Sequence, residues 1–194
     1  MKTFADISKK TKLYQEVDRL KGPLVYGNVL CIDPSIGSSS SSPGWAYYQS
    51  GQLIESGTIH TGGSHLELWQ RARRLANALH VLCAEYRVDV LVYEDIPATS
   101  GFNQNAIASL LKAVGIVLAC TTSSHVLGVH PASWKNYVRP EYKKGDKEDA
   151  IEIGWVAIGL AKHIESLAGT TERSSCDGDS VPGGSNRGRR RSAR

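Results

Sequence analysis

Four acidic residues in this sequence are spaced so that a fold could bring them together. Asp33 follows the apolar run 29–32, and Glu94 follows a second apolar run, 90–93. Asp146 and Asp149 lie three residues apart in the stretch DKEDAI, on one face of a predicted helix. Clustered carboxylates repel one another unless a cation neutralises them. Because every donor is an oxygen, the cluster favours Mg²⁺ or Mn²⁺ over zinc.

Two such ions would give the cluster a specific chemistry. A pair of divalent ions about 4 Å apart can activate a water molecule and stabilise the leaving oxygen of a phosphodiester. We therefore predict a catalytic metal site made of Asp33, Glu94, Asp146 and Asp149. Each residue also has an ordinary explanation. Asp33 and Glu94 could be turn or loop residues, and Asp146 could favour a helix N-terminus through its dipole.

The pattern of apolar residues predicts the elements that would position these acids. Five strands are predicted, at 27–33, GWAYYQ, QLIESGTIH, VDVLVYED and HVLGVHP, with a hairpin turn at Ser50-Gly51 between the second and third. Helices are predicted at 66–86, at 103–121, just after Pro131 and at 144–167. The order β-β-β-α-β-α-β-α-α indicates an α/β fold with crossover helices. In such open sheets ligand sites lie beyond the carboxyl ends of the strands, where Asp33 and Glu94 would converge.

Composition is typical of a soluble globular protein. The chain has 194 residues, 41% of them hydrophobic and 22% charged, which is enough for one sizeable core. No apolar run approaches the roughly 20 residues that span a bilayer, and no signal peptide is apparent at the N-terminus. Cys31, Cys83 and Cys120 lie in apolar stretches and form no CxxC pair. We therefore expect a cytoplasmic protein with reduced cysteines and no membrane partner.

The chain divides by composition into three parts. We predict a polar N-terminal extension at 1–26 with one short helix, a folded domain at 27–168, and a disordered tail at 169–194. The tail is rich in Gly and Ser and holds six arginines against three acids. Such a tail suits contact with a polyanion such as nucleic acid, although a solvated tail without a role fits equally well.

Three segments resemble the RuvC-type Holliday junction resolvases, in particular their phage-like branch, within the RNase H-like superfamily. The segments are VLCIDPSIG…PGWAYYQSGQLIESGTI, VDVLVYEDIPATSGFNQNAIASLLKAVGIVLAC and VLGVHPASWKNYV…KGDKEDAI. The resemblance implies an RNase H-like three-layer fold, in which helices flank a mixed five-stranded sheet. It also implies a homodimeric, Mg²⁺-dependent endonuclease that cuts four-way DNA junctions symmetrically during recombination, repair or phage DNA processing. The apolar helix 103–121 is our candidate for the dimer interface, although a purely internal role in the core fits its composition as well.

The resemblance also assigns roles to individual residues. It implies that Asp33 and Glu94 are metal ligands, and that the DxxDA acids Asp146 and Asp149 complete the site. Lys135 corresponds to a basic residue near the phosphates. Phe102 lies in the loop that presents an aromatic or basic group to the junction. Lys147 is a further candidate for DNA contact.

The last two acids have an alternative assignment. Family members commonly carry a further helix before the terminal acidic helix, and KGDKEDAI resembles both elements. If it were the earlier one, Asp177 and Asp179 would complete the site. Pro182 and the two glycines after it would break the helix that should carry them, so we prefer Asp146 and Asp149.

Other functions and roles remain compatible with parts of the pattern. An RNase H-like nuclease could act on RNA-containing or other branched substrates, and a catalytically silent relative could simply bind nucleic acid. Asp33 and Glu94 argue against a silent protein, which has little use for clustered acids. An ATPase of the actin or sugar-kinase type also begins with a strand-end Asp, but it needs a longer chain and a Gly-rich phosphate-binding hairpin. For His130 and Trp134 we favour structural roles, as a structural histidine and as a core residue.

Overall fold

Five strands form one mixed sheet in the computed structural model, which describes residues 2–35, 42–62, 65–96 and 104–173. A short 3₁₀ turn at Phe4–Asp6 precedes the first helix. The strands are β1 (Asn28–Asp33), β2 (Gly44–Gln49), β3 (Gln52–Thr58), β4 (Val90–Glu94) and β5 (His125–Val129). The helices are α1 (Lys12–Tyr26), α2 (Leu68–Tyr86), α3 (Gln104–Cys120), α4 (Pro131–Trp134) and α5 (Asp146–Arg173).

The order of the strands in the sheet is β3-β2-β1-β4-β5. β1, β2 and β3 pair antiparallel, whereas β4 and β5 join β1 as parallel neighbours. The turn between β2 and β3 uses Ser50 and Gly51, both with positive φ (48° and 68°). Two successive positive φ values match the right-handed twist of a hairpin, as the Ser-Gly pair predicts. The predicted order of elements and the mixed five-stranded sheet are therefore confirmed.

Alternate residues of the central strands face two separate apolar cores. Val29 and Cys31 point to the side covered by α1 and α5, whereas Leu30 and Ile32 point to the side covered by α2 and α3. All four side chains are fully buried. A strand that is buried on both faces explains why this stretch reads as a continuous apolar run. The result is the predicted arrangement of three layers, helices, sheet and helices.

The N-terminal extension is part of the first core. α1 packs against α5 and buries one apolar stripe, formed by Leu13, Val17, Leu20, Leu24 and Val25. The side chain of Thr11 caps the helix by accepting a hydrogen bond from the backbone of Tyr14, at 3.2 Å. The predicted short helix is thus fifteen residues long and reaches Tyr26.

The last helix is longer than predicted. α5 continues to Arg173, past the boundary expected at 168, and its middle is buried through Ile153, Val156 and Leu160. The expected disorder of the tail after Arg173 falls outside the described residues. None of the helices in the described ranges is both long and apolar enough to cross a lipid bilayer.

Candidate active site

Strand register places Asp33 and Glu94 side by side. β1 and β4 run parallel with Ile32 opposite Tyr93, so the next residues along, Asp33 and Glu94, end the two strands at the same level. Each is two residues beyond a side chain that faces α5, Cys31 in β1 and Val92 in β4. Because side chains alternate along a strand, both carboxylates face α5. The two strand-end acids predicted from the sequence therefore meet.

The first turn of α5 brings two further carboxylates to the same place. Asp146 begins the helix, and Asp149 follows on the same face one turn later, where it is buried with 9% exposure. The backbone N–H of Ser42 donates to Asp146 Oδ2 at 2.9 Å, which ties the loop before β2 to the start of the helix. Asp146 and Asp149 both act electrostatically on Asp33, as does Glu94. The structure thus gathers the other three predicted acids around Asp33.

Asp33 lies at the centre of this cluster. It is only 7% exposed. Burial raises the pKa of its carboxyl to about 8, with further contributions from the charges of Glu94, Asp149 and Asp146 and from a hydrogen bond with Glu94. Desolvation and like charges both disfavour the ionised form. A positive charge placed among these oxygens, whether a proton or a cation, is therefore favoured.

The donor chemistry of the cluster fits Mg²⁺ or Mn²⁺. Its four members offer only carboxylate oxygens, which are ligands for hard cations. Within the described ranges, no three Asp, Glu, His or Cys side chains lie close enough together to hold one ion as they stand. Asp33 is instead hydrogen-bonded to Glu94. Binding an ion would therefore require the carboxylates to move closer together.

Glu94 is held from the side opposite Asp33. Trp134 Nε1 donates to Glu94 Oε1 at 3.1 Å, and Lys135 Nζ lies 3.3 Å from the same oxygen. Lys135 also rests over the Trp134 ring, with Nζ 5.0 Å from the ring centroid. α4 supplies Trp134, and Lys135 follows directly as its C-cap; this helix begins directly after β5, the strand beside β4. Lys135, predicted to lie near phosphates, thus lies beside a site carboxylate and keeps half of its side chain exposed.

The other predicted site residues have varied positions. Lys147 lies in the first turn of α5, partly exposed, with Nζ 3.6 Å from Glu148 Oε1. His130 caps α4, since its Nδ1 accepts from the backbone N–H of Ala132 at 3.2 Å, as expected of a structural histidine. Phe102 lies outside the described residues. So do Asp177 and Asp179, the alternative ligands.

Two contacts to the cluster were not predicted from the sequence. Trp134 is fully buried, as predicted for a core residue, yet it also donates to Glu94. The Tyr142 hydroxyl donates to Asp149 Oδ1, in a segment where no residue pattern pointed to a role for tyrosine. For these two contacts the sequence offered only one signal, which is that each residue has a partly apolar side chain and lies near the site acids.

Gly44 controls how closely α5 approaches the site. It pairs with Asp33 across β1 and β2. A Cβ at this position would lie 1.8 Å from the backbone oxygen of Asp146. No side chain fits there unless the start of α5 moves away from Asp33.

We expect Gly44→Ala to lower the endonuclease activity that the sequence predicts by at least about 100-fold, because displacements of roughly 1 Å at a reacting centre have effects of that size. Gly22→Ala in α1 is the matched control, since a Cβ there meets nothing within 4 Å. Initial rates of nucleic-acid cleavage by both variants, together with thermal unfolding, provide the measurement. Equal activity of Gly44→Ala and wild type would show that the position of the α5 start is unimportant.

Comparison with solved structures places this arrangement in a known fold. The sequence matches no protein-family model and no curated protein. RuvC from T. thermophilus in complex with a Holliday junction substrate is similar, with a TM-score of 0.54 and 14% identity over 74% of this chain and 96% of that one. A second Thermus thermophilus RuvC structure gives a TM-score of 0.50 and 15% identity over 74% and 97%.

A eukaryotic protein is similar to the same degree. The yeast mitochondrial Holliday junction resolvase Ydc2 gives a TM-score of 0.51 and 13% identity, over 82% of this chain and 100% of that one. At identities this low, the structural similarity establishes a shared fold and no more. The chain therefore has the RNase H-like fold of the RuvC-type Holliday junction resolvases.

Proposed function

We propose that this protein is a metal-dependent endonuclease that resolves four-way DNA junctions. The observation that carries the proposal is the convergence of Asp33, Glu94, Asp146 and Asp149 at the carboxyl end of the central strands. The similar solved structures support the substrate, because they are Holliday junction resolvases and one of them is a complex with junction DNA. Clustered buried acids support hydrolysis rather than DNA binding alone, since they disfavour the approach of a phosphate unless cations are present.

The chain's own residues would prepare a phosphodiester for attack. Asp33, Glu94 and Asp149 would hold up to two Mg²⁺ ions, which supply an activated water and charge neutralisation at the leaving oxygen. Asp146, half-buried at the rim and fixed by the Ser42 N–H, would share one of the ions. Packing of α5 on β1 would hold the backbone positions of the acids while DNA binds.

Two lysines flank the cluster and are candidates for contact with the DNA backbone. Lys135 lies on the Glu94 side with half of its side chain exposed, and Lys147 lies on the Asp146 side with 41% of its side chain exposed. Contacts with phosphates fix the position of a strand without reading its sequence. Lysines on both sides of the acids would therefore guide a scissile phosphate between them.

We further propose that the enzyme is a homodimer, since a four-way junction presents two symmetric strands to be cut. The face formed by α2 and α3 supports this proposal. It exposes Trp69 (63%), Leu111 (55%) and Leu118 (42%), and a groove of about 640 Å³ runs between the two helices. An apolar surface of this kind typically marks an interaction site.

We expect a dimer at micromolar concentration by light scattering, and we expect Trp69→Asp on α2 to shift it to monomer, because Trp69 lines the groove and a buried charge opposes association. Val81→Asp is the control, since Val81 is an equally exposed apolar residue (62%) on α2 outside the groove. A wild-type monomer in the presence of junction DNA would refute the dimer.

The substrate class is tested by cleavage of matched labelled substrates. A four-way junction, a duplex of the same sequence and an RNA–DNA hybrid are incubated with the protein, with and without Mg²⁺. We expect symmetric cuts near the crossover of the junction, only with Mg²⁺, and little cutting of the duplex. Preferential cutting of the hybrid would instead indicate a nuclease for RNA-containing substrates.

A further inference from the structure

Two aromatic side chains donate hydrogen bonds to different members of the acidic cluster. The indole N–H of Trp134 donates to Glu94 Oε1 at 3.1 Å. The hydroxyl of Tyr142 donates to Asp149 Oδ1. Glu94 ends a strand and Asp149 lies on a helix, so the two donors contact the site from its strand side and from its helix side.

The two donors are also in contact with each other. Their rings pack edge to face, with 6.2 Å between centroids and an interplanar angle of 89°. Trp134 is fully buried, and Tyr142 is half-buried beside it. A shift of either ring would therefore be transmitted to the other, and with it to the second carboxylate.

The segment that joins the two rings is fastened to α5. Arg139 lies between them in the chain, and its Nε donates to Glu152 Oε1 at 2.7 Å. The backbone N–H of Arg139 donates to Glu152 Oε2 at 3.1 Å. Glu152 is only 1% exposed, so this ion pair fixes the segment to the buried face of the helix that carries Asp149.

Each donor contacts one oxygen of its own carboxylate. The second oxygen of that carboxylate is left for another partner. Trp134 and Lys135 both contact Oε1 of Glu94, and Tyr142 contacts Oδ1 of Asp149. A hydrogen bond to one oxygen fixes the rotation of the carboxylate and so aims its second oxygen. In metal sites, such outer partners typically change affinity by about 10- to 100-fold.

We propose that Trp134 and Tyr142 are linked positioning residues, which hold Glu94 and Asp149 in the orientation that receives divalent ions. This inference rests on the proposed function, because it takes the acidic cluster to be the metal site. Neither residue touches DNA or the reacting atoms in this role. Their effect passes through the two carboxylates.

The test is a calorimetric titration of Mn²⁺ into Tyr142→Phe, without DNA. This substitution removes one hydroxyl and keeps the ring against Trp134. We expect Mn²⁺ to bind about 10- to 100-fold more weakly than to wild type. The melting temperature in EDTA should change little, and saturating Mn²⁺ should restore most of the cleavage rate.

Tyr137→Phe is the matched control. Tyr137 lies in the same segment and packs on the same core, but its hydroxyl contacts none of the site acids. It should bind Mn²⁺ as wild type does. In an Asp149→Ala background, which removes the acceptor of the Tyr142 hydroxyl, Tyr142→Phe should cause no further loss of Mn²⁺ affinity, because the two changes remove one interaction.

The outcomes separate this inference from the proposed function. If wild type and Tyr142→Phe bind Mn²⁺ equally while wild type cuts junctions, the positioning role is wrong and the nuclease stands. A lower melting temperature in EDTA with unchanged Mn²⁺ affinity would likewise reduce Tyr142 to a structural residue. If wild type neither binds Mn²⁺ nor cuts a junction, both proposals fall.

Discussion

Asp33→Asn is expected to abolish cleavage of four-way junctions, by at least roughly 1000-fold, while junction binding stays within a few-fold of wild type. The change removes the central charge of the cluster, and metal stabilisation of a phosphodiester transition state contributes several kcal/mol, each 1.4 kcal/mol being tenfold. Binding rests on basic groups elsewhere and is not expected to follow. Single-turnover cleavage and gel-shift titration on the same junction measure the two effects separately.

The fold of this variant should be intact or more stable. Asp33 is buried among three other acids, and both conditions raise its pKa to about 8. Above that pH, a neutral asparagine removes a buried repulsion, so the melting temperature in EDTA should not fall. Asp18→Asn, the same charge change at a half-exposed side chain of α1, is the control and should cut normally. Undiminished cleavage by Asp33→Asn would exclude this residue from the site.

Asp149→Asn is the second change with a large expected effect, again a loss of all measurable cleavage. The residue is 9% exposed and lies in the first turn of a helix anchored by the buried Ile153 and Val156, so its carboxylate has a fixed backbone. Asp146→Asn should impair cleavage less, since Asp146 lies at the half-exposed rim of the cluster. The same junction assay ranks the two variants.

The double change Asp177→Asn with Asp179→Asn tests the alternative assignment. These residues lie in a Gly/Ser-rich stretch with few apolar neighbours to anchor them, so little effect on cleavage is expected. The assignment to Asp146 and Asp149 would be wrong if the double variant were inactive while Asp149→Asn cut normally.

The sheet and its strand-end acids could be predicted because both depend on local pattern. The apolar runs at 29–32 and 90–93 predict buried strands. When two such strands are parallel neighbours, the residues that follow them lie at the same edge of the sheet. The proximity of Asp33 and Glu94 could therefore be predicted without knowing the paths of the loops. The helix that carries Asp149 was equally clear, from DKEDA followed by a long apolar stretch.

Features that depend on packing between distant segments could not be predicted in the same way. α1 is rich in Lys, Arg and Glu, and this composition hid the apolar stripe that it buries against α5. Tyr142 contacts Asp149 from the segment 135–145. The Arg139–Glu152 pair, and not local propensity, sets the path of this segment. Gly44 matters only because α5 happens to cross it. Sequence pattern does not encode such contacts.

The central claim, that the four acids form a divalent metal centre, is tested most directly by diffraction from crystals soaked in Mn²⁺. We expect anomalous peaks within about 2.2 Å of carboxylate oxygens of Asp33, Glu94 and Asp149, with Asp146 on the outer side. The same soak of Asp33→Asn crystals should lose at least one peak. The account would be contradicted if saturating Mn²⁺ produced no anomalous peak among these residues, or produced peaks only elsewhere.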